Sequence, residues 1–378
     1  MSDPREQRLA QVITEYSIGI APGQLVLIEA PSLAESLVLE MARSALELGA
    51  HPRVRLGTEG AQRAFLSEAG EDLLRKLPPG LMREMEEADV RIAVTAAWNT
   101  RELSGIDPAK VAIAQEARKP VMETYMRRSA ADELRWCVTA YPCDAYAQDA
   151  DMSLAAYRDF VYRAGWLHLD DPVAAWRAFA EKLAQLTNRL GQVRTLRVLA
   201  EDTDLTVGVA GRTWSGSSGH HNFPDGEVFT GPLETETSGD VRFSFPAVFS
   251  GNEVDDVRLR FEGGRVVRSE AAAGEDLLKQ MLAIDEGASV LGEFAIGTNY
   301  AVDRFSKQIL FDEKIGGTCH MAVGAGYPET GSTNTSGLHW DMVCDLRSGG
   351  EIHADGELIY RDGRFLPEFA PDLSPPEA

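Results

Sequence analysis

Four residues in one glycine-punctuated span, Gly316 to Asp345, have the types and spacing to do chemistry: His320, Tyr327, His339 and Asp341. Imidazoles and carboxylates set close together are the donor set of a hydrolytic metal site. His339 and Asp341 stand two apart, so on a strand they project from one face. His320 follows Gly316-Gly317-Thr318-Cys319, where glycines let backbone approach a ligand closely.

Two glutamates far upstream complete the set. Glu293 lies in the apolar, glycine-flanked run Leu291–Gly297, where a charge must be paired, protonated or metal-bound. A salt-bridged structural carboxylate would satisfy the same constraint. Glu227 follows the Pro224-Asp225-Gly226 turn. An exposed turn glutamate is the ordinary reading there, but Val228 and Phe229 after it suggest the start of a strand facing a cavity. Together Glu227, Glu293, His320, His339 and Asp341 suffice to hold two divalent ions with a carboxylate bridge. Tyr327 adds a phenol, either as a ligand or as a donor to an oxyanion. His353 and Asp355 repeat the His-x-Asp spacing, but Asp355-Gly356 reads as a turn and places them outside the site. His220-His221 reads as a solvent-exposed loop pair. Cys319 reads as a passive neighbour, since nothing marks it as a reactive thiolate.

The elements that must position these residues divide into two textures. In the first, strands alternate with helices: a helix over Glu6–Ile18, a strand over Leu25–Glu29, and a helix over Leu33–Leu48 capped by Ser32 and stopped at Gly49. A strand at Pro52–Leu56, a helix at Leu81–Ala88 and a strand at Val90–Thr95 follow. Pro108–Ala117 reads as helix and Pro120–Thr124 as strand. This alternation predicts a parallel, doubly wound α/β sheet. No GxGxxG follows the first strand and no GxxxxGK[ST] occurs, so no motif supports a nucleotide site. The stretch from Ala150 to Leu190 reads as helical, with Trp166, Trp176, Phe179, Leu183 and Leu186 as core anchors.

From Thr195 the texture changes to short β-type runs: Leu196–Leu199, Leu205–Val209, Val241–Phe245 and Val254–Phe261. Gly263-Gly264 and Asp362-Gly363 are hairpin turn signals. A helix over Glu275–Glu286 and a strand over Ser289–Ala295 complete an α+β domain with a mainly antiparallel sheet. The expected division is 1–190 as an α/β scaffold and 191–378 as the metal-binding catalytic domain.

The whole-chain numbers narrow the partners. With 378 residues the chain suits two domains. A net charge of −22 disfavours nucleic acid and anionic membrane, which need clustered Lys and Arg. The same charge is compatible with metal cations and with substrates carrying a free amine. No apolar run approaches the roughly 18 residues that span a bilayer. The charged opening, MSDPREQRLAQ, lacks an apolar signal core, and the four cysteines show no CxxC pair. A cytoplasmic protein with reduced thiols is expected.

The blocks Asp202-Thr203-Asp204-Leu205, Asn222–Pro232, Leu291-Gly292-Glu293, Asp312–Thr318 leading to His320, Gly326-Tyr327 and His339–Met342 occur in this order. Over roughly residues 195 to 365 the chain thereby resembles the thermophilic metallo-aminopeptidases, the aminopeptidase T and aminopeptidase S type, also described as leucyl aminopeptidase-like. The first half is similar in layout and in short pieces such as Pro22-Gly23 and Leu48-Gly49-Ala50. The resemblance implies a dimeric, two-domain enzyme with two divalent metal ions (Zn, Co or Mn) that removes N-terminal residues from a peptide or aminoacyl substrate. Glu227, Glu293, His320, His339 and Asp341 match the family's metal ligands, and Tyr327 its active-site tyrosine. The mechanism expected from it is hydrolysis by metal-activated water. Glu293 or Glu313 would relay the proton and Tyr327 would bond the oxyanion. Two departures stand out: the chain is short, and so is the span from Tyr327 to His339, which is expected to line the substrate cavity.

Two other readings fit parts of the pattern. Ring-cleaving dioxygenases resemble this family and use one ferrous ion, for which His320, His339 and Asp341 alone would suffice. A degenerate homologue acting as a binding protein is the third, and the intact ligand set disfavours it.

Overall fold

The computed structural model describes residues 3–249 and 251–376. Two compact units emerge, one of Met1–Val173 with Gly219–Pro224, the other of Ala174–Ser218 with Asp225–Ala378.

In the first unit, α1 (Pro4–Gln11) is capped by Asp3 and runs on through a π-helical turn at Val12–Ser17. Then follow β1 (Leu25–Pro31), α2 (Glu35–Glu47), β2 (His51–Gly57), the short α3 (Ala61–Glu68), α4 (Glu71–Leu74) and α5 (Leu81–Glu87), and β3 (Val90–Thr95). After these come α6 (Pro108–Ala130), β4 (Arg135–Ala140), α7 (Asp144–Asp149) and α8 (Leu154–Ala164). A two-residue strand, β8 (Asn222–Phe223), completes a parallel sheet in the order β2-β1-β3-β4-β8. Alternate residues of β1 and β3, Val26, Ile28, Ile92 and Val94, are buried. They share this interior with Leu37, Val38, Met41 and Ala45, which recur at helical spacing along α2.

One element differs in kind from expectation. Pro120–Thr124 is not a strand but lies inside the 23-residue α6. A proline there forfeits one backbone donor. The helix continues because Val121 beyond it packs into a cluster with Leu27, Met85, Ala88 and Leu134. The fourth strand comes instead from Arg135–Ala140, around the buried Cys137. The expected helix over Ala150–Leu190 is interrupted between α8 and α9 (Pro172–Leu190), where Trp166 takes a positive φ of 57°.

The second unit is built on two sheets. The larger has the order β14-β13-β10-β6-β5-β18-β19-β20. Its strands are β5 (Thr195–Ala200), β6 (Thr203–Gly208), β10 (Thr237–Phe243), β13 (Val257–Glu262), β14 (Arg265–Glu270), β18 (Glu351–Ala354), β19 (Glu357–Arg361) and β20 (Arg364–Phe365). Both predicted hairpins are present, turning through Gly263-Gly264 and Asp362-Gly363, all at positive φ. The expected run Val254–Phe261 is two strands, since Asp256 at φ 51° breaks β12 (Asn252–Val254) from β13. β12 pairs with β11 (Ala247–Phe249). Helix α10 (Glu275–Leu282) ends four residues short of its predicted end.

The smaller sheet, in the order β17-β16-β15-β9-β7, is antiparallel and carries the candidate ligands. Its strands are β7 (Ser215–Ser217), β9 (Glu227–Thr230), β15 (Leu291–Gly297), β16 (Thr318–Gly324) and β17 (His339–Asp345). One face presents Val228, Phe294, Ile296, Met321, Val323, Trp340 and Met342, all buried. The other holds the polar residues described next.

Candidate metal centre

Cross-strand register gathers the polar set. Glu293 on β15 stands opposite Ala322 on β16, and Ala322 opposite Asp341 on β17. His320 stands opposite Ala295, Glu227 opposite Gly297, and His339 opposite Gly324. Each ligand-type residue therefore has an Ala or Gly opposite it on at least one neighbouring strand, which leaves open space above the sheet. A bulge between Leu291 and Glu293, at Gly292, shifts Glu293 onto this face.

Glu313 and Lys314 are added from outside the sheet, in the turn after the short α11 (Ile309–Asp312). This turn presses on β15: a Cβ on Gly297 would lie 2.1 Å from the Ile315 carbonyl oxygen. Gly297→Ala should therefore push the 313–315 segment away, destabilising the fold by about 1–3 kcal/mol. Denaturant melts and metal content measured together check this, and both should fall.

All five predicted ligands converge. His320 Nε2 lies 3.2 Å from Glu227 Oε2 and 3.9 Å from Glu293 Oε1. His339 Nε2 lies 3.3 Å from Glu293 Oε2 and 3.4 Å from Asp341 Oδ2. Donor atoms fall into two groups, Glu227, Glu313 and His320 in one and Glu293, His339 and Asp341 in the other, each within 4.8 Å. His339 Nδ1 is 2.8 Å from the Ala325 carbonyl. A proton on Nδ1 donated there leaves the Nε2 lone pair turned to the carboxylates.

Electrostatics follow from crowding. Burial works against a charged His320, but the carboxylates of Glu227, Glu293 and Glu313 outweigh it and raise its pKa to about 9. Burial likewise opposes charge on His339, yet Asp341 and Glu293 raise it to about 11. Burial raises both Glu293 and Glu313, the latter reaching about 8 despite Lys314 beside it. At Glu227 burial is overcome by Lys314 and His320, which bring it down to about 2. His320 Nδ1 and Asp341 Oδ1 are buried with no hydrogen-bond partner among the described residues. Crowded carboxylates and orphaned polar atoms are costly without a cation, and this donor set fits divalent metal.

Lys314 was not marked as functional by the sequence reading. Its side chain is 1% exposed. Its ammonium donates to Glu227 Oε1 at 2.6 Å and Glu313 Oε2 at 2.9 Å, and stands 3.7 Å from Asp225 Oδ1. Asn299 Nδ2 braces that corner by donating to the Asp225 carbonyl at 2.8 Å. Apart from its place in the block Asp312–Thr318 that carries the family resemblance, nothing in the one-dimensional pattern distinguishes this lysine from a surface one.

Tyr327 is 40% exposed, its ring edge-on to Phe229 and to His339 at centroid distances of 5.3 Å. Desolvation and the nearby Glu293 and Asp341 raise its phenol, keeping it a proton donor. The loop behind it is tied down. Glu234 accepts from Thr333 N at 2.7 Å, and Asn334 Nδ2 donates to Gly287 O at 2.9 Å. Ser336 Oγ donates to Asp285 at 2.7 Å. The demoted groups lie elsewhere. His353 is on β18 of the larger sheet, 2.9 Å from Glu351. His220 and His221 are exposed, their rings tilted against Tyr16 and Trp136 respectively. Cys319, facing Cys344 across β16 and β17, is buried with its thiol pushed up by Cys344 and by burial.

A parallel α/β unit joined to an antiparallel unit with a buried two-histidine, multi-carboxylate cluster is the build of a metal-dependent hydrolase. The chain belongs to the thermophilic metalloprotease (M29) family, whose model matches residues 2–365. It is 30% identical to aminopeptidase 2 of Geobacillus stearothermophilus over 96% of this chain and 98% of that one. With aminopeptidase T of Thermus thermophilus the identity is 29%, covering 96% of each. The solved structure of wild-type AmpT from Thermus thermophilus superposes with a TM-score of 0.83 at 27% identity, over 96% of this chain and 99% of that one. The enzyme class is that of a metallo-aminopeptidase, a hydrolase. The single-iron dioxygenase alternative finds no support in these relationships.

Proposed function

We propose that this chain removes N-terminal residues from peptides, with two divalent ions that Glu227 and His320 would hold on one side and His339 and Asp341 on the other, and Glu313 beside the first pair. Glu293, lying between the two histidines, would serve both ions. The observation that carries this reading is its placement, with Oε1 directed to His320 and Oε2 to His339. Charge supports it too: with the histidines neutral and the carboxylates ionised, as metal binding requires, Asp225, Glu227, Glu293, Glu313 and Asp341 against Lys314 leave four negative charges, the sum that two divalent ions offset.

Such ions, when bound, supply Lewis-acid polarisation of the scissile carbonyl and a water of lowered pKa. The chain's own groups do the rest. Glu313, the least buried of the clustered glutamates, takes the proton from the attacking water and passes it to the leaving amine. Tyr327 donates its O–H to the carbonyl oxygen as that oxygen gains charge. The carboxylates receive the substrate's free α-amine, which restricts cleavage to the first residue. The working form is read as a homodimer, supported by Leu39 and Leu46 exposed along α2, and sedimentation checks it. Cys137, Cys143, Cys319 and Cys344 are buried thiols rather than disulfides, which suits a reducing cytoplasm.

The test is metal analysis of the purified chain, followed by turnover of aminoacyl amides with added Zn²⁺, Co²⁺ or Mn²⁺. The expected result is two ions per chain and release of the N-terminal residue only. One tightly bound iron with oxygen-dependent turnover, or cleavage of amine-blocked substrates at equal rate, would overturn it.

A further inference from the structure

A second feature with the makings of a ligand site lies in the α/β unit, where the metal cluster has no part. The chain passes from β1 to β2 on one side and then, through α3–α5, back across to β3 on the other. That reversal makes the carboxyl ends of β1 and its neighbours a topological switch point, the place where open α/β sheets hold ligands. A cavity of about 690 Å³ opens there, reached by the last residues of β1 and β2 and by the loop after β3. Its volume is in the range of small-molecule sites.

Its lining has a definite chemistry. Arg55, Arg91 and Arg118 face it, in a chain whose net charge is −22. Leu56, Phe65 and Trp98 supply an apolar and aromatic wall. Glu29 holds two of the arginines, taking Arg91 Nε at 2.5 Å and pairing with Arg55, while Glu84 takes Arg55 Nη1 at 2.6 Å. These pairs fix the guanidiniums while Arg118, on α6, stands exposed at the rim. Glu102 closes off another option. Its Oε1 accepts from Gly60 N at 2.9 Å and so occupies the N-terminus of α3, where a phosphate would otherwise sit.

We infer that this crevice binds a small organic carboxylate with an apolar or aromatic body. Arg118 receives the carboxylate, for which a planar guanidinium is the matched partner, and Arg55 and Arg91, held in place by Glu29, line the crevice beside it. Leu56, Phe65 and Trp98 cover the body. The occupied helix end and the absence of a glycine-rich phosphate loop favour carboxylate over phosphate.

The test titrates the full-length, metal-loaded chain with phenylpropionate and reads tryptophan emission, taking the difference from a Trp98→Phe variant. A saturable change that vanishes in Trp98→Phe is expected. Phenylpropanamide, which lacks the charge, should bind at least about tenfold more weakly, as should phenylpropionate to Arg118→Met. Arg118 is at the surface, so that variant keeps its fold. Arg91→Met serves as the second variant, with circular dichroism confirming that it is folded. Absence of a saturable change, a signal that survives in Trp98→Phe, equal affinity for the amide, or undiminished binding in both arginine variants would each overturn the site. Phenyl phosphate binding as tightly as phenylpropionate would overturn the carboxylate assignment.

Discussion

Glu293→Gln should lower kcat/KM on an aminoacyl amide by about a thousandfold or more and drop metal content from two ions to one or fewer. The substitution is nearly isosteric, so the strand should survive it. What it removes is the negative charge between His320 and His339, with Oε1 3.9 Å from one Nε2 and Oε2 3.3 Å from the other. A neutral amide is a poor bridging ligand, and its N–H₂ would face an imidazole or a cation. The stability effect runs the opposite way. Burial first, then neighbouring Asp341 and Glu227, raise the Glu293 pKa in the metal-free fold. A carboxyl with a folded pKa above its unfolded value lends stability below the unfolded value and loses it as pH rises through the folded one. A glutamine at this position has no proton to lose, so metal-free Glu293→Gln should lose less stability than the metal-free wild type as pH rises from the acid range to neutrality, while added metal should stabilise the wild type more. Unchanged metal content and turnover would refute the role of Glu293 at the ions, and an identical pH dependence of melting in chelator would refute the electrostatic account.

The contrast between legible and illegible parts follows from how local each signal is. His339 and Asp341 could be paired by eye because strand periodicity acts over two residues, and Gly263-Gly264 and Asp362-Gly363 because turn conformation is local. The ligand groups at Glu227 and Glu293 were suggested by their unusual surroundings and by the family resemblance. Their proximity to His320 depends on two strand registers and one bulge, none of which a linear pattern encodes. Pro120 misled for the converse reason. A local rule that disfavours helix was overridden by packing of Val121 against Leu27 and Met85, a tertiary term. Lys314 is the extreme case. Its burial arises only because α11 folds the 313–315 segment against β15, with Gly297 leaving room for the Ile315 carbonyl.

Lys314→Met should accordingly be the most damaging single substitution outside the ligand set, and its damage should depend on metal. The ammonium is 1% exposed and holds Glu227 at 2.6 Å and Glu313 at 2.9 Å. Removing one partner of a buried ion pair strands the other charges, at a cost of about 3–5 kcal/mol. Methionine fills the volume of the stem, so most of the loss is electrostatic rather than a cavity. A divalent ion beside Glu227 and Glu313 can take over part of the neutralisation that Lys314 performs. The destabilisation of Lys314→Met, from urea melts, should therefore be larger in chelator than with saturating metal, by about 1 kcal/mol or more. Activity should fall even when metal is saturating, because Glu313 loses the partner that fixes its carboxylate. Equal destabilisation with and without metal would mean that Lys314 serves the packing of the 313–315 turn, independently of the cluster it touches.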